Sequence, residues 1–384
     1  IMKKWLKRLA KSRYPYEPLV TVEISKGRLL NNLNEFRKLA PNRQIAPVLK
    51  SNAYGHGLVE VAEMLENATI PFFAVDSYFE AVALRTRGIK TPLLVIGYSR
   101  PEDIACSRLK RTSFTVSSIG TLRSLATNRK IRPPIHLKID TGMRRQGILP
   151  EEIDKAIELV KNNPHIVLEG VCSHLPDADN ENHSFTDKQI ILWNGIAEKF
   201  KSAFPGLKYI HLSNTDGHRF SNRITANLTR LGLGLYGLTD GSSFPQKLNL
   251  LPIIEMKTII TGVKRLKKGE TVGYGNAFKA SSEMLIATIP LGYFEGVDRR
   301  LSNRGTILVG EKRIPCPIVG RVSMNITTVD VTNVEGVSEG TTVVVVSNNA
   351  ADPNSIVSIA KKCDAIPYEI TVKIGAHLKR VVVD

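Results

Sequence analysis

The sequence predicts an α/β protein in two parts: an N-terminal (β/α)8 TIM-like barrel and a C-terminal, mainly antiparallel β domain. Three observations predict it. From Gln44 to about Thr239, short apolar runs alternate with amphipathic helical stretches, the pattern of a parallel sheet with crossover helices. Eight such runs occur, the number that closes a barrel. Near Gly241 the texture changes to Val-, Ile- and Thr-rich runs separated by glycine and charged turns, which reads as antiparallel sheet.

Residues 1–16 form a basic arm, with Lys3, Lys4, Lys7, Arg8, Lys11 and Arg13 and no acid among them. Charges interrupt it too often for the apolar centre of a signal peptide. The barrel is assigned residues 17–242. Its first run, Val20–Ile24, is left over from the eight and is placed to join the β domain instead. The helix after it, Lys26–Leu39, carries Leu29, Leu30, Leu33, Phe36 and Leu39 at helical spacing. The eight barrel runs are Ile45–Leu49, Phe72–Asp76, Leu93–Gly97, Ser113–Val116, Ile135–Ile139, Val167–Cys172, Tyr209–Leu212 and Ala226–Thr229. Gly241-Ser242-Ser243-Phe244-Pro245 reads as a linker. Residues 243–384 are the β domain, with strands expected at Ile253–Thr261, Met284–Ile289, Gly305–Val309, Ile326–Val331 and Thr341–Val346. One helical stretch, Pro353–Lys362, interrupts them.

The 384 residues suffice for two full-sized cores. Hydrophobic residues make up 42% and charged residues 23%, as in ordinary soluble domains. No apolar run approaches the roughly 18 residues of a spanning helix. The formal net charge of +17 raises nucleic acid, an anionic surface or an anionic ligand. No nucleic-acid-binding motif accompanies it, so a basic solvated surface is the reading retained, and neither nucleic acid nor membrane is an expected partner. The four cysteines, Cys106, Cys172, Cys316 and Cys363, form no CxxC pair, so no zinc knuckle or disulfide framework is expected. Reduced thiols fit the cytoplasm.

The candidate site centres on Gln44–Gly57, QIAPVLKSNAYGHG. An apolar strand stops at one cation, Lys50, where barrels place their chemistry. A partly desolvated lysine has a depressed pKa and can serve as a nucleophile or Schiff-base amine. Taken alone, a lysine there more often snorkels from a strand end. Two loops follow the seventh and eighth runs: Ser213-Asn214-Thr215-Asp216-Gly217 and Arg230-Leu231-Gly232-Leu233-Gly234. Strand counting places Thr215 and Gly232 where barrels bind phosphate. Lys138-Ile139-Asp140-Thr141-Gly142-Met143-Arg144-Arg145 ends the fifth run, and its plain reading is a strand-to-helix turn capped by Asp140 or Thr141. His174 ends the sixth.

The run Lys50 to Gly57, KSNAYGHG, closely resembles the cofactor-lysine signature of the alanine racemase family, in which alanine usually stands at Ser51. HLSNT, ending at Thr215, resembles the family run that ends in a phosphate-binding hydroxyl. The stretch from Lys138 resembles a second signature, with glycine usual at Arg144. Thr271-Val272-Gly273-Tyr274-Gly275-Asn276, Leu291-Gly292-Tyr293-Phe294-Glu295-Gly296 and Gly320-Arg321-Val322-Ser323-Met324-Asn325 resemble three further family runs, in family order. Asn325 and Glu295 stand where aspartate is usual, and Ser323 where cysteine is common. The resemblance covers roughly Val20 to Arg380.

What the resemblance implies is specific. Pyridoxal 5'-phosphate would be attached to Lys50, with Tyr54, His174, Asn214, Thr215, Arg230, Gly232 and Leu233 around it. Arg145 and Met324 would bind the substrate, and Lys138, often carbamylated in the family, and Tyr293 would support them. Arg230 would face the pyridine nitrogen and, always protonated, leave it unprotonated. Racemisation needs a base on each face of Cα: Lys50 for one, and Tyr274 of the second subunit of a homodimer for the other. The implied activity is interconversion of L- and D-alanine, supplying D-alanine for peptidoglycan. Ala376 falls where some members have a pocket-limiting tyrosine, so a broader-specificity racemase is the alternative. A pyridoxal-phosphate-dependent decarboxylase is a further one, against which Arg230 argues.

Overall fold

In the computed structural model, residues 17–128, 133–239, 244 and 248–384 are described; the basic arm and most of the Gly241–Pro245 linker lie outside them. Eight parallel strands make the N-terminal sheet: β2 (Gln44–Pro47), β3 (Phe73–Val75), β4 (Leu93–Val95), β5 (Thr112–Val116), β6 (Ile135–Lys138), β7 (Leu168–Cys172), β8 (Tyr209–His211) and β9 (Leu228–Leu231). They follow one another in order around the ring, and β9 returns to β2. A single parallel bridge, Val48 to Ala74, joins β2 to β3 and completes the barrel. The strands are short and buried because helices cover the sheet. Those helices include α2 (Leu58–Leu65), α3 (Tyr78–Thr86), α4 (Pro101–Cys106), α5 (Ile119–Thr127), α6 (Ile153–Lys161) and α7 (Ser184–Ala203); α1 (Lys26–Leu39) precedes them. Serines at strand exits start three of them: Ser25, Ser77 and Ser118 accept N–H bonds from Arg28, Glu80 and Thr121 at 3.2, 3.2 and 3.1 Å.

The eighth barrel strand begins two residues later than its apolar run suggests, at Leu228 rather than Ala226. Asn227, just before it, bonds the neighbouring strand through its side chain as well as its backbone: its Oδ1 accepts from Ile210 N and its Nδ2 donates to Lys208 O. The buried cation Arg230 lies inside the strand and breaks the apolar pattern.

The left-over strand β1 (Thr21–Ser25) joins the second domain. It pairs antiparallel with β10 (Ile254–Ile259) and parallel with β19 (Lys379–Val383). The sheet continues through β18 (Thr342–Val346), β15 (Thr306–Val309) and β16 (Ile314–Pro317). A second sheet stacks β11 (Gly262–Leu266), β14 (Met284–Ile289) and β17 (Thr327–Asp330), and β12 (Thr271–Val272) forms a short hairpin with β13 (Phe278–Lys279). Two helices interrupt the β domain, not the expected one: α8 (Ile356–Lys362) and α9 (Pro367–Val372). The second was concealed by its β-branched Ile370-Thr371-Val372, which reads as strand; Pro367 at its first turn is the helix signal.

The two domains lock at the site. A Cβ on Gly55 would stand 2.0 Å from Thr371 O of α9, so only glycine lets the loop after Lys50 seat there. Arg380 Nη2 donates to Gly55 O at 2.9 Å, tying that loop to β19.

Candidate active site

Lys50 leads into a left-handed turn. Ser51, Asn52, Ala53 and Tyr54 have φ of 56, 56, 52 and 53°. Each non-glycine residue in that conformation costs about 1 kcal/mol, and the surroundings hold it. Ala53 N donates to Leu49 O (2.8 Å), Asn52 N to Glu80 Oε1 (3.2 Å) and Leu58 N to Asn52 Oδ1 (2.9 Å). The turn points Tyr54 inward, its ring 5.2 Å from that of Tyr236.

Lys50 and Tyr54 open onto a cavity of about 720 Å³ at the carboxyl ends of the barrel strands, bounded on the β-domain side by Ile366, Tyr368, Glu369 and Val372. Four cations line it, Lys50, Lys138, Arg145 and Arg230, against the carboxylates of Asp76 and Glu369. Glu369 is already paired with Arg300 and Lys373, each at 2.7 Å. The balance favours an anionic ligand. Burial lowers the Lys50 pKa, Asp76 opposing it; burial also lowers that of Lys138. Both amines are thereby biased toward the neutral, nucleophilic form.

Arg230 is held from the barrel interior. Its Nη2 donates to Ser173 O (2.6 Å), Leu212 O (3.1 Å) and His174 Nδ1 (3.4 Å), and its Nη1 to His211 O (3.2 Å) and His211 Nδ1. Burial, reinforced by the Arg230 charge, keeps His174 neutral well below the usual range.

At the ends of β8 and β9, Thr215 Oγ1 accepts from Gly234 N at 3.2 Å and Asn214 Oδ1 from Gly217 N at 2.9 Å. A Cβ on Gly232 would stand 2.9 Å from the Tyr54 hydroxyl. Glycine therefore keeps a small cradle open between two hydroxyls. Beside it, the buried Ser213 Oγ has no partner among the described residues. A hydroxyl-rimmed cradle in a cationic cavity with a desolvated lysine fits a phosphorylated aldehyde cofactor.

The cavity brings together Lys50, Tyr54, Lys138, Arg145, His174, Asn214, Thr215, Arg230 and Gly232 of the expected site. It does not bring in the rest. Leu233 is 1% exposed and packs in the core. Tyr274, Met324 and Tyr293 are 73%, 55% and 44% exposed on the β domain and do not line the cavity. Ala376 is also exposed and outside the lining, and Tyr368 and Val372 line the cavity on the β-domain side. Asp76, Cys172 and His211 line the cavity and were missed. The signal for His211 was present as a polar residue opening HLSNT at an apolar strand end.

The departures from family pattern have local explanations. Asn325 Nδ2 donates to Glu295 Oε1 at 2.7 Å, while Glu295 Oε2 accepts from Gly292 N at 2.7 Å. One amide and one carboxylate satisfy each other where two carboxylates would repel. Arg144 has φ 55° and donates its N–H to Asp140 Oδ1 at 3.1 Å. This left-handed position suits glycine, so Arg144→Gly is expected to stabilise the fold by about 0.5–1 kcal/mol in urea titrations. A destabilised variant would show that the arginine side chain compensates for its backbone.

Fold and site together define a barrel enzyme with a β domain that bounds a cation-lined mouth holding two desolvated lysines, Lys50 and Lys138. The sequence matches the alanine racemase N-terminal domain over residues 24–240 and the alanine racemase C-terminal domain over residues 253–382. The chain belongs to the alanine racemase family, whose activity is that of an isomerase. It is 33% identical over 370 residues to an alanine racemase from Fusobacterium nucleatum, covering 94% of this chain and 99% of that protein. The structure of alanine racemase from Clostridium difficile superposes with a TM-score of 0.89, at 30% identity over 96% of both chains. That of histidine racemase from Leuconostoc mesenteroides superposes at 0.85, with 26% identity over 97% of this chain and 99% of that one. Among the described residues, no helix is long and apolar enough to cross a membrane and no side-chain cluster could hold a metal.

Proposed function

We propose that this chain is a pyridoxal-5'-phosphate-dependent racemase of alanine. It works in the cytoplasm as a head-to-tail homodimer and supplies D-alanine for peptidoglycan. The observation that carries the reading is Lys50, a desolvated lysine at the end of β2 in a four-cation cavity shared with Thr215 and Gly232. When bound, the cofactor supplies the electron sink that acidifies the Cα–H of an amino acid.

This chain's residues do the rest. Lys50 would carry the cofactor. Tyr54, Asn214, Thr215, Gly232 and the Leu233 backbone would hold its phosphate. Arg230 and His174 would hold the ring edge, and the permanently charged guanidinium disfavours protonation beside it. Arg145, with Lys138 sharing its wall, would pair bidentately with the substrate carboxylate. The Lys50 amine would move the proton on one face of Cα. The other face needs a second base. Tyr274 is solvent-exposed and outside its own chain's cavity, which suits a group delivered to a second copy, together with Met324 and Tyr293.

The test is incubation with single L-amino acids and chiral chromatography of the products, alongside borohydride reduction and peptide mapping. D-alanine should dominate, and the reduced cofactor should map to Lys50. No D-product from any amino acid, or a label on another lysine, would overturn the reading. A second reading, broader specificity, is favoured by the likeness to a structure described as histidine racemase. Serine and histidine therefore belong in the same panel, and D-serine or D-histidine near the alanine rate would favour it.

A further inference from the structure

Arg230 is a buried guanidinium whose hydrogen-bond partners are all neutral: backbone oxygens of Ser173, His211 and Leu212, and ring nitrogens of His174 and His211. A buried cation needs a counter-charge. Among the described residues no carboxylate touches it, but a hydrogen-bonded path leads to one.

The path has a direction. A guanidinium can only donate, so His211 Nδ1 accepts from Arg230 Nη1. His211 must then carry its proton on Nε2, which meets His136 Nδ1 at 2.9 Å. His136 in turn carries its proton on Nε2, which faces Glu169 Oε2 at 3.4 Å. The same Glu169 oxygen accepts from Ser113 Oγ at 2.5 Å, and the other lies 3.4 Å from Lys208 Nζ. Arg230 is near the carboxyl end of β9, whereas Glu169 is near the start of β7. There, a separate cavity of about 200 Å³, lined by Arg111, His136, Glu169 and Lys208, opens at the opposite end of the barrel. Every donor along the path points from the active-site mouth toward that end.

We propose that Glu169 is the counter-ion of Arg230, acting through His211 and His136 as a one-way relay, and is thereby a positioning residue that sets the active-site guanidinium from the far end of the barrel. Ionisation agrees with the geometry. Burial lowers both imidazole pKa values; at His136 the bond and charge of Glu169 oppose it without reversing it, and the Arg230 charge adds to the lowering at both rings. Burial raises the Glu169 pKa, but the bonds from His136 and Ser113 outweigh it and leave the carboxyl low, near 2. Packing alone does not demand this arrangement. The rings of Phe72, Tyr209, His136 and His211 contact one another edge-on, tilted or stacked, which fixes their planes and not which nitrogen holds the proton.

The test reads the protons directly. In cofactor-loaded protein labelled with 15N-histidine, His211 and His136 should both be neutral with the proton on Nε2. Either ring protonated on Nδ1 instead, or on both nitrogens, overturns the relay. Glu169→Gln keeps the shape and an acceptor but removes the charge. It should shift the His136 Nε2–H resonance upfield and lower kcat about tenfold with KM little changed. Glu169→Asp should recover most of the rate. Unchanged kcat and resonance in Glu169→Gln would also overturn the proposal. Should that variant fail to fold, the wild-type resonances still decide. The rate measurement rests on the racemase reading, but the resonances do not: wild-type protein that makes no D-amino acid sinks that reading and leaves the relay to the spectra.

Discussion

Lys50→Ala and Tyr274→Phe are each expected to be nearly inactive, yet a co-refolded mixture of the two should regain about a quarter of wild-type activity. Removing one positioned base costs about 10²–10⁴-fold, so either homodimer alone is effectively silent. Within one chain, Lys50 lies at the barrel mouth, while Tyr274 stands 73% exposed on the β domain, outside the cavity. A two-fold dimer that exchanges these groups has two composite sites. Random pairing makes about half the dimers hybrids, and each hybrid holds one site with both groups and one with neither. Half of the sites in half of the dimers gives the quarter. If one chain supplied both residues, no hybrid would contain an intact site. A mixture that stays silent, with hybrids verified by mass spectrometry, would sink the shared site.

Acid is expected to unfold the protein over a narrow range, with stability falling steeply below about pH 6.5. Four buried histidines and the half-buried His174 drive it. His56 and His218 are pushed to about 4 by burial, and burial also lowers His136, His174 and His211. An unfolded histidine titrates near 6.5. Below that value the unfolded chain takes up protons that the folded chain refuses, so stability is full above about pH 6.5 and is lost as pH falls toward 4. Each group contributes about 1.4 kcal/mol per pH unit across its own window. His56 and His218 alone would remove a sizeable part of a typical stability of about 5–15 kcal/mol between pH 6.5 and 4, and the other three act in the same direction. The check is the urea midpoint between pH 7.5 and 4.5. A midpoint that stays level to pH 5 would mean these rings protonate inside the fold.

The barrel was legible because its strands are short and apolar and alternate with helical stretches. Lys50, Thr215 and Gly232 could be placed on it by counting, since a barrel puts the ends of consecutive strands around one mouth. The family signatures added Arg145, His174 and Arg230, and the cavity holds all three. Other features left little local trace. The helix at Pro367–Val372 has strand-like residues and becomes helical where Thr371 packs against Gly55, a contact between residues more than 300 positions apart. Asp76 and Cys172 end ordinary apolar runs, and nothing in those runs marks them as facing a cavity.

The sequence by itself determined the two-part architecture, the chemistry-bearing lysine and the anion-seeking charge of the site, because hydrophobic period and residue type are local properties. Only the tertiary structure decided the second β-domain helix and the left-handed turn after Lys50. It alone decided the absence of Tyr274, Met324 and Tyr293 from their own chain's cavity and the path from Arg230 to Glu169. Each of these depends on which distant segments pack together, and long-range packing sets a side chain's burial, partners and protonation in ways its neighbours in sequence do not encode.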